Sequence, residues 1–164
     1  MIYSSNSEKG ANLMGGPIAG GTAENLLGKS YPVVVGRYSP DGKRIGVMLA
    51  EDERSGHVKL AVMNSRTRSI EKTYTISLGS WPDNMQGGLR WTADGQALLF
   101  PLVREGTTDL WMQAVSGGPP RQITHSGHVV AYALSPDGKR LAITRATSSR
   151  DVVLFRDFRN LVSR

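Results

Sequence analysis

Tyr38-Ser39-Pro40-Asp41-Gly42-Lys43-Arg44-Ile45 returns as Leu134-Ser135-Pro136-Asp137-Gly138-Lys139-Arg140-Leu141, with a looser copy between them, Trp91-Thr92-Ala93-Asp94-Gly95-Gln96-Ala97-Leu98. The three aspartates stand 53 and 43 residues apart. A second element repeats out of phase with the first. Leu13-Met14 precedes Gly20-Gly21, and Leu110-Trp111 precedes Gly117-Gly118. The Gly-Gly pairs are 97 residues apart and the outer aspartates 96, so both markers report one translation of two units. A period of about 48 residues is that of a supersecondary unit stacked on its own copies, in the range of propeller blades.

The repeated words have a local physical meaning. Pro presets φ near −65° at the second position of a turn, and Asp tolerates the bridge region at the third. Gly then takes the left-handed conformation without a Cβ clash. The flanks, Val33-Val34-Val35 and Ile45-Gly46-Val47-Met48-Leu49, and later Val129-Val130-Ala131-Tyr132 and Leu141-Ala142-Ile143, are β-rich and read as hairpin strands. In the Asp94 copy Ala93 replaces Pro, which weakens the preset and leaves the turn.

Each hairpin is followed by a polar loop and two more strands. After Asp41 these are Val58 to Met63 and about Lys72 to Ile76; after Asp94 they are Asp109 to Val115 and Arg121 to Thr124. No amphipathic stretch of helical period is long enough to matter, so the fold class is all-β. Residues 1–29 match strands two to four of a unit, at Ile2 to Ser4, Ala11 to Ile18 and Ala23 to Leu27. Residues 30–80 and 81–126 are full units. Residues 127–164 supply strands one to three, ending with Asp151-Val152-Val153-Leu154-Phe155. The expectation is a single domain of 3 + 4 + 4 + 3 strands, an incomplete ring of three to four blades.

These words resemble the TolB-like, WD40-like (PD40) β-propeller repeat, in which an apolar or aromatic residue precedes Ser-Pro-Asp-Gly-Lys-Arg-Ile-Ala. The match is strong at Tyr38–Val47 and Leu134–Ile143 and moderate at Trp91–Phe100. The resemblance implies blades closing a circle, with the last blade borrowing its outer strand from the N-terminal end of the propeller. On that basis the chain is expected to be the C-terminal part of a larger propeller. It implies a bacterial, non-enzymatic protein–protein interaction or sensor scaffold, of the kind attached to bacterial Ser/Thr kinases or winged-helix transcriptional regulators. The closing stretch Asp151 to Phe158 resembles that group. The alternative is the substrate-gating propeller of a prolyl-oligopeptidase-type serine peptidase.

Composition narrows the remaining choices. Of 164 residues 39% are hydrophobic, enough for a packed core, and there is no Cys to form disulfides, thiolate metal sites or Cys nucleophiles. No apolar run reaches the roughly 18 residues of a membrane span. Met1-Ile2-Tyr3-Ser4-Ser5 does not read as a signal peptide, and the sequence leaves compartment open between cytoplasm and periplasm. The net charge of +6 attracts anionic partners, but the cations are scattered and nucleic acid is not the expected one.

No residue set reads as catalytic, metal-binding or cofactor-binding. Asp41, Asp94 and Asp137 belong to separate units and cannot converge on one substrate. His125 and His128 lack further zinc ligands beyond a distant His57. No Gly-x-Ser-x-Gly elbow occurs, and Gly15-Gly16-Pro17 lacks the Lys-Ser/Thr of a phosphate loop. Ser39, Pro40, Asp41, Gly42, Asp94, Gly95, Ser135, Pro136, Asp137 and Gly138 are assigned to structural turns. Tyr38 and Trp91, at one repeat position, are expected to pack between units. Trp81, in the long connection, is the candidate partner contact. Partners are expected to be another protein, a second copy of the chain or the rest of a longer chain, because an open ring would expose apolar faces.

Overall fold

The strands β5 and β9 read Arg44-Ile45-Gly46-Val47-Met48-Leu49-Ala50 and Ala97-Leu98-Leu99-Phe100-Pro101-Leu102-Val103-Arg104, nearly unbroken apolar runs. Such runs belong to strands covered on both faces, whereas a sheet with one wet face alternates. The computed structural model describes residues 1–50, 57–77 and 88–147 and shows what covers them.

Among the described residues there are strands and no helix. The first sheet, β1 (Ile2–Ser7), β2 (Gly10–Gly15) and β3 (Glu24–Asn25), is an antiparallel meander. The second has four strands in sequence order, β4 (Val33–Tyr38), β5 (Arg44–Ala50), β6 (His57–Asn64) and β7 (Ile70–Ser77). The third repeats it with β8 (Arg90–Trp91), β9 (Ala97–Arg104), β10 (Thr107–Ala114) and β11 (Arg121–Gln122). A hairpin of β12 (Val129–Leu134) and β13 (Leu141–Arg145) follows. Trp81 and the stretch from Asp151 to Phe158 lie outside the described residues.

Three apolar clusters hold these sheets together, one per junction. Leu13 and Leu26 of the first sheet region meet Val34, Ile45, Val47 and Met63 of the second. Met48, Leu60 and Val62 on the opposite face of the second sheet meet Leu89, Trp91, Leu98 and Phe100 of the third. Leu99 and Leu110, turned the other way, meet Val129 and Tyr132 of the hairpin. The period of two along β5 therefore divides its side chains between two neighbouring sheets, Ile45, Val47 and Leu49 to one and Met48 to the other. Among the described residues there is no central layer. The core is a series of inter-sheet seams, the packing mode of propeller blades and of stacked repeats generally.

Glycines set the closest approaches. A Cβ at Gly36 would fall 2.7 Å from Leu13 Cδ1, and one at Gly46 would fall 2.6 Å from Leu98 Cδ2. Polar bonds cross the same seams: Ser4 Oγ donates to Val34 O at 2.6 Å, Tyr74 Oη to Val115 O at 2.8 Å, and Tyr132 Oη to Gly88 O at 2.6 Å.

Two sequence expectations shift. The outermost strands β3 and β11 are two residues long, shorter than the runs Ala23 to Leu27 and Arg121 to Thr124. Single bonds just beyond them, Leu26 N to Leu13 O and Ile123 N to Leu110 O, continue the attachment without a regular ladder. The expectation that Tyr38 and Trp91 pack alike fails for Tyr38. Trp91 is 7% exposed, against Gly46 and with its Nε1 donating to Arg37 O at 2.9 Å, while Tyr38 is 42% exposed. The first sheet has no strand in the place that β4 takes beneath Trp91, so the Tyr38 ring has less to lie on.

Candidate functional site

The three Asp-Gly turns each close a hairpin and share one hydrogen-bond scheme. In the first, Ser39 Oγ donates to Asp41 Oδ1 at 2.6 Å and accepts from Arg44 N at 3.0 Å. The same Asp41 oxygen accepts from Lys43 N at 3.1 Å. In the second, Thr92 Oγ1 donates to Asp94 Oδ1 at 2.6 Å, and Gln96 N donates to that oxygen at 2.9 Å. In the third, Ser135 Oγ donates to Asp137 Oδ1 at 2.5 Å and Lys139 N donates at 3.1 Å. Side-chain bonds of this kind mimic a backbone turn, which is why Ser or Thr and Asp stand two apart. Pro40 and Pro136 occupy the position whose φ their rings fix, and Gly42, Gly95 and Gly138 sit at φ of +69°, +66° and +69°.

The turns touch one another in a row. A Cβ on Gly95 would lie 3.7 Å from Pro40 of the preceding turn, and one on Gly138 would lie 2.7 Å from the Ala93 Cβ. Gly42 has open space around it. Valine at Gly42 is therefore expected to destabilise by about 1 kcal/mol or somewhat more, from backbone strain alone. Valine at Gly138 adds the clash with Ala93 and should lower the urea midpoint further; equal losses at the two sites would mean the turns are not in contact.

Their carboxylates are committed to this geometry. Ser39 and then the Lys43 amide hold the Asp41 carboxyl below its ordinary value, Thr92 and Gln96 do so for Asp94, and Ser135 and Lys139 for Asp137. The folded value is the lower one, so the stabilisation is complete above the ordinary carboxylate value of about 3.9. It is lost as pH falls through the folded values. Replacing all three with Asn should flatten the acid limb of the stability curve below about pH 4, read by circular dichroism in urea. An unchanged limb would place the acid sensitivity elsewhere.

Arginines gather at the same end. Arg37 and Arg90 each stand four residues before a turn aspartate, on β4 and β8, the first strands of two neighbouring sheets, which come into contact. Arg44 lies over the Trp91 ring, 5.2 Å from its centroid, and donates to Gly95 O at 2.8 Å. Arg37 and Arg90 instead donate to carbonyls next to themselves, Gly36 O at 3.0 Å and Leu89 O at 3.1 Å. Neither has a carboxylate at ion-pair distance among the described residues. Burial, and then the charge of Arg90, lowers the Arg37 guanidinium from its ordinary value.

A second polar centre lies in the connection from β11 to β12. The buried Asp109 carboxylate accepts from Thr124 Oγ1 at 2.7 Å, from Ser126 N and Gly127 N at 3.1 Å each, and from Gln122 Nε2 at 3.2 Å. It thereby fixes the course of the chain from the third sheet to the hairpin. Asn12, 97 residues earlier, does the same more weakly, accepting from Asn25 Nδ2 at 3.0 Å and Ser30 Oγ at 2.8 Å. His125 and His128 lie within this loop, and no grouping of three metal-ligating side chains occurs among the described residues. Sequence reasoning singled out neither the arginine pair nor the Asp109 clasp. The signal was present in the repeat register, because each recurs at the spacing of its own marker.

No protein-family model and no curated protein matches the sequence. Solved structures do. TolB from Acinetobacter baumannii superposes with a TM-score of 0.65 at 22% identity, over 92% of this chain and 36% of that one. A protein described as a TolB from Agrobacterium tumefaciens gives 0.66 at 19% identity, over 87% of this chain and 48% of that one. Hydrazine synthase from Kuenenia stuttgartiensis gives 0.57 at 15%, over 85% and 44%. The chain thus spans less than half the length of each of these proteins. With sheets in sequence order, seams between them and turns in a row, this chain has the fold of a TolB-like β-propeller segment.

Proposed function

We propose that this chain is a non-enzymatic scaffold that presents its turn end to a protein partner, as part of a larger propeller. The observation that carries the reading is the row of Asp-Gly turns. Its three carboxylates, the most obvious acid–base groups at that end, are engaged by hydroxyls and backbone amides of their own turns. What remains for function there is a shaped surface on which Arg37, Arg44 and Arg90 gather. The finer assignment is a module of the kind joined to bacterial Ser/Thr kinases or transcriptional regulators, with Trp81 as an added contact. The attachment rests on the sequence resemblance alone, and the Trp81 contact on the place of that residue in the long connection between two units. No observation favours the peptidase-gating alternative.

Photo-cross-linking in cells tests this reading. A photoreactive residue at the exposed positions Lys43, Gln96 or Lys139 of the turn end should give discrete products, and one at Lys9 or Glu105, in turns at the opposite end, should not. A product of twice the mass of the chain would assign the contact to a second copy. The same products from both ends, or none from any position, would overturn the reading.

A further inference from the structure

We propose that the groove between the second, third and fourth repeats at the turn end binds an acidic segment of the partner protein, with Arg90 and Arg37 receiving its carboxylates. The proposal rests on the scaffold reading above and deepens it. The groove encloses about 280 Å³ and runs across three successive turns. Its walls are Pro40 of the first turn, Trp91 and Ala93 of the second, and Leu134 and Pro136 of the third, with Arg90 among them. An apolar trough with a cation in it suits a short extended stretch that alternates carboxylates with aliphatic or prolyl side chains.

The charge arrangement supplies the sign. Arg37 and Arg90 are half-buried like charges on strands of two sheets that come into contact, and among the described residues their hydrogen bonds to Gly36 O and Leu89 O leave most of each guanidinium fork unused. A guanidinium partly withdrawn from water and next to another cation is stabilised by an anion placed between the two. The acidic groups close in sequence form no ion pair with either arginine among the described residues. Asp41, Asp94 and Asp137 stand at the same end, but each points one oxygen into its own turn, held by a hydroxyl and an amide. Among the described residues no other carboxylate pairs with Arg37 or Arg90. The overall charge of +6 adds a long-range attraction of the same sign. A nucleic acid would ask for a longer track of exposed cations, whereas Arg90 in the apolar groove, with Arg37 close enough to act on it from β4, suits one or two carboxylates.

Fluorescence anisotropy on the purified full chain tests the assignment, with a labelled dodecapeptide of repeating Glu-Pro-Leu as probe. The chain should bind this peptide, and the same peptide with Gln for Glu should bind at least tenfold more weakly. R90Q should weaken binding of the acidic peptide at least tenfold, and R37Q/R90Q should abolish it. K9Q/K29Q, which removes as much charge from elsewhere on the surface, should change it less than twofold. R37K/R90K, which keeps the charge and loses the planar fork, should give an intermediate loss and serves if the Gln variants do not fold. Equal losses in the two double variants would reduce the effect to net charge and overturn the site. Inorganic phosphate or a dT dodecamer displacing the peptide at equal concentration would overturn the peptide assignment. So would absence of binding. Turn-end cross-links without peptide binding would sink this inference and leave the scaffold reading standing.

Discussion

Gly46→Val is expected to lower stability by about 3 kcal/mol, the upper part of the range for overpacking a core. Gly46 lies in β5, where a Cβ would meet Leu98 Cδ2 at 2.6 Å and Trp91 Cε2 and Nε1 at 3.1 Å. Leu98 is fully buried and Trp91 is anchored by its bond to Arg37 O, so neither neighbour can move aside without opening the seam between the second and third sheets. Urea denaturation followed by tryptophan fluorescence measures the loss. A second variant identifies the cause. Leu98→Ala alone should destabilise by about 2–5 kcal/mol through the cavity it leaves. Combined with G46V it should cost clearly less than the sum, because the valine fills part of that cavity. Additive losses would mean that the two residues do not meet across the seam.

Asp109→Ala is expected to cost about 3 kcal/mol, because it removes a buried charged acceptor and strands several donors at once. Thr124 Oγ1, Ser126 N and Gly127 N all lose their Asp109 partner, while Gln122 Nε2 retains Thr124 O at 2.8 Å. Hydrogen exchange supplies a local readout: the Ser126 and Gly127 amides should lose protection even under conditions where the global fold persists. Asn12→Ala, which removes a neutral acceptor at the equivalent place, should cost only about 1 kcal/mol. If the two substitutions cost the same, the loop after β11 is not held by Asp109 in the way its contacts indicate.

These expectations divide according to what can be read without coordinates. The Asp-Gly words and the Gly-Gly markers disclosed the repeat, and with it the all-β class and the order of strands. That information is local: a turn residue acts through its own φ and its own short side chain, so it means the same wherever the chain carries it. The continuous apolar run of β5 was legible as a strand. That Met48 faces the third sheet while Ile45 and Val47 face the first was not, because alternation tells which residues share a face and not what stands opposite.

The surface groups were harder still. Arg37 and Arg90 look like ordinary scattered cations until β4 and β8 are laid side by side, and Asp109 looks like an exposed strand residue until the β11–β12 loop folds over it. Tyr38 and Trp91 hold the same place in the repeat and end with different exposure, since burial depends on the neighbour supplied and not on the residue itself.

The amino-acid order alone determined the unit, its turns and its period, through steric preferences that act within a few residues. Tertiary structure alone decided which glycines must stay small, which carboxylate ties down a loop and which two arginines come close enough to act on each other with no carboxylate paired to either among the described residues. Those outcomes depend on distances between segments some 15 to 55 residues apart, which the packing of one sheet on the next creates.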